Sequence, residues 1–242
     1  MINDGQYKFL ASLLNLLLWR GELRGIENIP PQGPAVFISN HLDATGPIAA
    51  ISSIPVRLHS WAIGDMMDAD LAPAWLQWDF TERQLHLKPP LSKWLAEALC
   101  RIVVPLFYSL GMIPVYRGDY LRMRRTYTLS MDLLRQGKYL LIFPEDNRLE
   151  INPETKMQPF QHSFVRLGEL YYAESGKCLQ FIPVTVHPAR VIIIGEPVAF
   201  NPSNATGRER YRLNTLLQDT IIATYLRLSG LKTAPPADAK AA

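Results

Sequence analysis

The chain has 242 residues, of which 48% are hydrophobic and 19% are charged, and its formal net charge is +3. This length accommodates one large domain or two small ones with a sizeable core. The charge is too small to indicate a nucleic-acid partner, and we expect none. The two cysteines, Cys100 and Cys178, are far apart and lack the spacing of a metal site, which predicts a reducing compartment without a disulfide framework.

The first apolar segment, residues 9–19, is shorter than the roughly 20 residues that a membrane-spanning helix needs. Lys8 precedes the segment, and Trp19 and Arg20 end it, as an aromatic and a basic anchor would. This pattern predicts that residues 1–22 form a helix in the membrane interface and that the protein is peripheral, on the cytoplasmic face. The alternative is an amphipathic helix that packs on its own domain.

Short apolar, β-prone runs alternate with helical segments along the rest of the chain. The predicted strands are residues 35–38, 56–63, 111–117, 139–143, 181–186 and 191–194, and the predicted helices are residues 47–54, 91–110, 120–136, 163–172 and 208–228. The alternation favours an α/β fold with a largely parallel sheet flanked by helices, in a single domain over residues 23–231. The segments predicted to be less regular are a connector at 21–33, a stretch at 64–90 and a disordered tail at 232–242.

His41 stands just after the first of these strands, at the carboxyl end, where open α/β sheets carry their chemistry. Arg117 ends another strand segment, and Glu145 and Arg148 follow a third. If these strand ends share one edge of the sheet, a base, a carboxylate and two guanidinium groups converge. The set suits group transfer onto a hydroxyl next to a phosphate, because arginine binds phosphate through two N–H groups and histidine can accept the hydroxyl proton. A turn histidine without a chemical role is the alternative.

Four short motifs and a lead-in occur in a fixed order between residues 24 and 197. They are RGIENIP at 24–30, SNH at 39–41, GMIPVYR at 111–117, FPEDNR at 143–148 and FIPV at 181–184. Together they resemble the motifs of the glycerolipid acyltransferases typified by 1-acylglycerol-3-phosphate acyltransferase. The resemblance covers most of the chain.

This resemblance implies an O-acyltransferase of phospholipid biosynthesis. The enzyme would move a fatty acyl group from the thioester of coenzyme A or acyl carrier protein to the hydroxyl of a membrane lipid acceptor, such as 1-acylglycerol-3-phosphate. His41 would be the base and Asp43 its partner, in a direct transfer that needs no metal or other cofactor. Glu145 would orient the acceptor or the arginines that hold its phosphate. The residues expected to bind substrate are Asn40, Arg117, Glu145 and Arg148.

Two positions depart from the family's pattern. Gly46 stands where the family has an aspartate, five residues after the histidine, and Asp146 replaces the glycine of the third motif. Asp43 reaches His41 only through an irregular turn, because residues two apart point in different directions on a strand or helix. Otherwise Asp43 is a helix N-cap, and a carboxylate from elsewhere, such as residues 64–70, could be the partner.

These departures leave two other functions open. One is an acyltransferase for a different membrane lipid acceptor, such as a glycolipid or an ornithine lipid. The other is a non-catalytic lipid-binding scaffold that has lost the pairing of histidine with aspartate. Asp146 places a negative charge beside the proposed phosphate site, unless it faces away or pairs with an arginine.

Overall fold

The computed structural model describes residues 2–116 and 118–231. Its strands are β1 (Glu22–Arg24), β2 (Ala35–Ser39), β3 (Leu58–Ile63), β4 (Ile113–Val115), β5 (Tyr139–Ile142), β6 (Gln180–His187), β7 (Val191–Ile194) and β8 (Val198–Ala199). Its α-helices are α1 (Asp4–Leu14), α2 (Thr45–Ser53), α3 (Gly64–Met67), α4 (Ala72–Leu76), α5 (Leu91–Leu110), α6 (Tyr120–Arg135), α7 (Arg166–Ser175) and α8 (Thr206–Leu228). The predicted strands and long helices are therefore present, with their ends shifted by a few residues.

Most of the sheet belongs to one compact unit, formed by residues Lys8–Leu58 and, among the described residues, 133–231. Its strands lie in the order β1-β7-β6-β2-β5, and β8 also pairs with β6. β2 is parallel to both β5 and β6, and β1 is parallel to β7, whereas β6 runs antiparallel to β7 and β8. All five residues of β2 are buried, as expected of a strand at the centre of an α/β sheet.

Helix α8 packs against β6 in the same unit. Its buried stripe repeats every four residues through Leu213, Leu217 and Ile221, a spacing that places them on one face of a helix. The α/β class and the mostly parallel sheet with flanking helices are thus confirmed. How the chain divides into the predicted segments 1–22 and 23–231 stays a prediction, and the predicted disordered tail at 232–242 lies outside the described residues.

The second compact unit contains residues 2–7 and His59–Asp132. β3 and β4 pair in parallel in this unit, with Trp61 opposite Ile113. Helices α4 and α5 pack around a small apolar core that includes the buried Cys100. Residues 64–90, predicted to be the least regular stretch, instead hold α3, α4 and a π-helix at Gln77–Gln84.

Two further predictions need correction. The connector at 21–33 contains the edge strand β1, whose residues Glu22, Leu23 and Arg24 lack the apolar run by which strands are recognised. Trp19 is not an interface anchor, since it is only 2% exposed and belongs to the core. The leucines before it remain exposed. No helix in the described part of the chain is long and apolar enough to cross a membrane.

Candidate active site

The loops after β2 and β5 leave the sheet at the same edge. The strands are parallel neighbours, and Ile38 lies opposite Ile142. His41 comes three residues after Ile38, and Glu145 comes three residues after Ile142. The convergence predicted from the sequence is confirmed for these two strand ends. Arg117, assigned to the acceptor phosphate, lies outside the described residues.

Asn40 fixes the start of the first loop to β6. Its side chain is fully buried, and its Nδ2 donates to the carbonyl oxygen of Val186 at 2.9 Å. The Val186 N–H donates back to Asn40 Oδ1 at 2.8 Å. The amide therefore continues the β2–β6 pairing by one step and determines where the chain leaves the sheet. A contact of Asn40 with substrate stays a prediction.

The carboxylate of Glu145 joins the two loops. Its Oε1 accepts a hydrogen bond from the main-chain N–H of His41 at 2.6 Å, and its Oε2 accepts one from the N–H of Gln158 at 2.8 Å. The residue is only 7% exposed. Charge-assisted hydrogen bonds of this kind are short and about twice as strong as neutral ones. Glu145 therefore holds the backbone of the proposed base, a role that sequence reasoning did not find.

The loop that carries Glu145 is itself held by hydrogen bonds to the segment 159–161. Gln161 N–H donates to the carbonyl of Pro144 at 2.8 Å, and Asp146 N–H donates to that of Pro159 at 2.9 Å. The N–H of Phe160 donates to Gln218 Oε1, on α8, at 2.7 Å. The carboxylate is thus supported by a small antiparallel bridge and by the last helix, which gives it a defined position.

The imidazole of His41 is exposed and lies against the ring of Phe143. The two ring centroids are 5.1 Å apart and the planes meet at 71°, an edge-to-face arrangement. The contact with Phe143 restricts the ring, and its exposure leaves it open to a substrate. This is the arrangement that a general base needs.

The turn after His41 is irregular, as the pairing of Asp43 with His41 requires. Leu42 and Asp43 both have left-handed backbone conformations, with φ of 44° and 51°. Helix α2 begins at Thr45, and its N-cap position is Ala44. The alternative that Asp43 is the N-cap is therefore wrong. Asp43 as the partner of His41 stays a prediction.

Gly46 has a steric reason to be glycine. It is buried, and a Cβ atom there would lie 1.9 Å from the carbonyl oxygen of His41 and 2.6 Å from its carbon. Both atoms are backbone and cannot swing away. An aspartate at position 46 does not fit this turn, so the carboxylate that serves the histidine in the resembled family cannot stand at the same position here.

Asp146 pairs with Arg148. The Nε of Arg148 donates to Oδ1 of Asp146 at 2.8 Å and Nη2 donates to Oδ2 at 2.7 Å, so the ion pair is bidentate. Mainly through these hydrogen bonds, Arg148 holds the pKa of Asp146 well below its usual range, and Asp146 raises the pKa of Arg148. Of the two outcomes considered for Asp146, pairing with an arginine is confirmed. One edge of the Arg148 fork is therefore occupied by a carboxylate.

Among the described residues, no group of three or more histidine, cysteine, aspartate or glutamate side chains is arranged to hold a metal ion.

Comparisons with known proteins find a match in structure but none in sequence. No protein-family model matches the chain, and no curated protein matches it in sequence. Among solved structures, the chain is similar to the 1-acyl-sn-glycerophosphate (LPA) acyltransferase PlsC from Thermotoga maritima, with a TM-score of 0.55 and 14% sequence identity over 97% of this chain and 86% of that one. At this identity the likeness shows the fold: the chain shares with PlsC an α/β architecture built on a mostly parallel sheet flanked by helices.

Proposed function

We propose that the protein is an O-acyltransferase of phospholipid biosynthesis. It moves a fatty acyl group from an acyl thioester to the hydroxyl of a lysophospholipid such as 1-acylglycerol-3-phosphate. The observation that carries the proposal is an exposed histidine, His41, at the carboxyl end of β2, with its backbone held by the buried carboxylate of Glu145. The similarity in fold to an LPA acyltransferase supports it.

In the proposed reaction the imidazole of His41 accepts the proton of the acceptor hydroxyl. The hydroxyl oxygen attacks the thioester carbonyl and forms a tetrahedral intermediate, whose oxyanion needs hydrogen-bond donors. Collapse of the intermediate breaks the carbon–sulfur bond, and the thiolate takes the proton from the imidazolium. Asp43 would orient the imidazole and stabilise its charged form. Coenzyme A or acyl carrier protein is the co-substrate and leaves as a free thiol.

The acceptor phosphate is proposed to bind Arg148 and Arg117. The pairing of Arg148 with Asp146 favours a second candidate as well, an acceptor that carries no phosphate monoester, such as a glycolipid or an ornithine lipid. A phosphate at Arg148 would use the free edge of its guanidinium or compete with Asp146, which also repels it. A neutral acceptor meets neither obstacle.

The test is thiol release from acyl-CoA and from acyl carrier protein by the purified chain, with and without lysophosphatidate. The proposal expects release that depends on lysophosphatidate and yields an equal amount of phosphatidate. Release only with a phosphate-free lipid supports the second candidate. If no donor reacts with any acceptor, the proposal is wrong and the non-catalytic lipid-binding scaffold is the alternative to test.

Attachment to the cytoplasmic face of a membrane is part of the proposal, because the acceptor is a membrane lipid. Phe9 and Leu17 are 73% and 66% exposed, which supports an interface role for the N-terminal segment. Deleting that segment would remove the buried Trp19, so Leu17→Ser is the better test. We expect it to weaken sedimentation with vesicles without changing thermal unfolding. If it binds as the wild type does, the exposed Trp94 on α5 marks the next candidate.

A further inference from the structure

A depression of about 510 Å³ lies beside the N-terminal helical segment. His41 does not line it, so it is separate from the candidate active site. All of its lining residues lie between Ser12 and Ser53, within the compact unit that contains β2. Those that matter here are Ser12, Asn15, Leu16, Arg20 and Ser53. The depression thus combines one cation, several polar side chains and an apolar wall.

Arg20 is the cation of this depression. It ends a π-helical turn, Asn15–Trp19, in a left-handed conformation with φ of 48°, and its Nε donates to the carbonyl oxygen of Leu16. Arg24, four residues further along the chain, in contrast forms a bidentate ion pair with Glu22. In the described part of the chain no carboxylate pairs with Arg20. Its charge is available to an anion from outside.

The polar side chains of the depression hold one another in place. Asn15 Nδ2 donates to Ser53 Oγ at 2.8 Å, and this bond joins the π-helical turn to the last residue of α2. With Oγ serving as the acceptor, the hydroxyl hydrogen of Ser53 can donate to a ligand. The depression is therefore built from two helical elements that are fixed to each other.

An apolar ridge stands next to the depression. Leu16, Leu17 and Leu18 are consecutive and are 54%, 66% and 54% exposed. Exposed leucines beside a cationic site are the features of a helix that lies in a membrane interface and meets anionic lipid.

We propose that the depression binds the headgroup of an anionic phospholipid while the leucine ridge, residues 16–18, enters the apolar edge of the same bilayer. Arg20 takes the phosphate, through the guanidinium N–H groups that do not contact Leu16. The last turn of α2 presents carbonyl oxygens, which repel an anion. The hydroxyl of Ser53 therefore faces the neutral glycerol ester part of the lipid. This inference rests on the membrane attachment proposed above and names the lipid class that the attachment recognises.

The experiment measures binding of the full chain to phosphatidylcholine vesicles with and without phosphatidylglycerol. We expect Arg20→Gln to weaken binding to the phosphatidylglycerol vesicles about five-fold or more, the contribution of one basic residue at an anionic surface. Arg24→Gln is the matched control, because it removes the same charge at a residue that does not line the depression, and we expect a smaller loss of binding from it. Ser53→Val, which alters no charge, should also weaken binding to the anionic vesicles alone.

The outcomes separate this inference from the attachment on which it rests. If Arg20→Gln and Arg24→Gln have equal effects, or if Ser53→Val has none, attraction is diffuse and the depression is not a headgroup site. If Leu17→Ser reduces binding to every vesicle while Arg20→Gln and Ser53→Val bind as the wild type does, attachment stands and the site is wrong. If no variant changes binding, the N-terminal segment does not contact the membrane, and both the headgroup site and attachment through this segment are wrong. Thermal unfolding of each variant confirms that it is folded.

Discussion

Glu145→Gln tests whether a buried carboxylate positions the proposed base. Glutamine keeps the size of the side chain and one acceptor oxygen, but its amide nitrogen is a donor. Glu145 accepts from two backbone N–H groups, those of His41 and Gln158, at 2.6 and 2.8 Å. The variant can satisfy only one of them, and the other donor then meets an NH₂ group in a buried place.

The size of the effect follows from the bonds that are lost. A hydrogen bond to a charged group contributes about 1.5–3 kcal/mol, so we expect the free energy of unfolding to fall by about 2 kcal/mol. For a chain of this length that lowers Tm by roughly 4–8 °C. Since a displacement of about 1 Å in a reacting group can cost about 100-fold in rate, we expect kcat to fall 10- to 100-fold, with KM for the acceptor little changed.

The assays are thermal unfolding and steady-state thiol release, with Glu22→Gln as the control. Glu22 is an exposed carboxylate that pairs with Arg24, and its loss should change Tm little. A raised KM for the acceptor together with an unchanged Tm would refute the positioning role. That result would instead support the expectation from sequence that Glu145 orients the acceptor or its arginines.

Three further substitutions test other parts of the site. Gly46→Asp should cost about 3 kcal/mol or more in stability, because its Cβ collides with the His41 carbonyl; a normally stable variant with increased turnover would contradict the steric reason given for this glycine. Asp43→Asn should lower kcat strongly if Asp43 orients His41, by up to about 10⁴-fold as in a hydrolase triad, and an unchanged kcat excludes it as the partner. Asp146→Asn frees the Arg148 fork, so we expect a lower KM for lysophosphatidate and an unchanged KM for a neutral acceptor. Arg148 lowers the pKa of Asp146 in the folded chain, so the pair stabilises the wild type above about pH 4. This stabilisation is lost as the pH falls below that value. Urea unfolding at several pH values should show the loss in the wild type and not in Asp146→Asn.

The sequence predicted the position of the base because local patterns determine it. The apolar runs of β2 and β5 each end at a loop that carries a reactive or charged residue. The sequence predicted that His41 and Glu145 converge if these strand ends share one edge of the sheet, and the structure places both at one edge. The sequence predicted α8 for the same reason, from apolar residues at helical spacing, although Leu216, which it placed on the buried stripe, is 42% exposed.

What the sequence did not predict depends on contacts between distant residues. The hydrogen bond from His41 to Glu145 joins positions 104 residues apart, and no local pattern indicates that a glutamate accepts from a backbone N–H. The need for glycine at position 46 arises from the close approach of the His41 carbonyl, which only the folded turn reveals. Trp19 reads as an anchor in sequence because its burial depends on the rest of the unit.

The same limit explains the missed elements. β1 is a three-residue edge strand with two charged residues, and its pairing with β7 comes from the neighbour rather than from its own propensity. Residues 64–90 were expected to be irregular because prolines and aspartates interrupt the apolar period. Packing of α4 and α5 around Ala72, Ala96 and Cys100 nevertheless forms short helical turns there.

One measurement tests the central claim most directly: acyl transfer by the wild type and by His41→Ala, with acyl-CoA and acyl carrier protein as donors and a set of lysolipids as acceptors. His41 is exposed, so its truncation should leave thermal unfolding almost unchanged. We expect the wild type to release thiol only when an acceptor is present, and His41→Ala, equally folded, to release none above the uncatalysed rate. A folded His41→Ala protein that transfers acyl groups as fast as the wild type would contradict the assignment of the base.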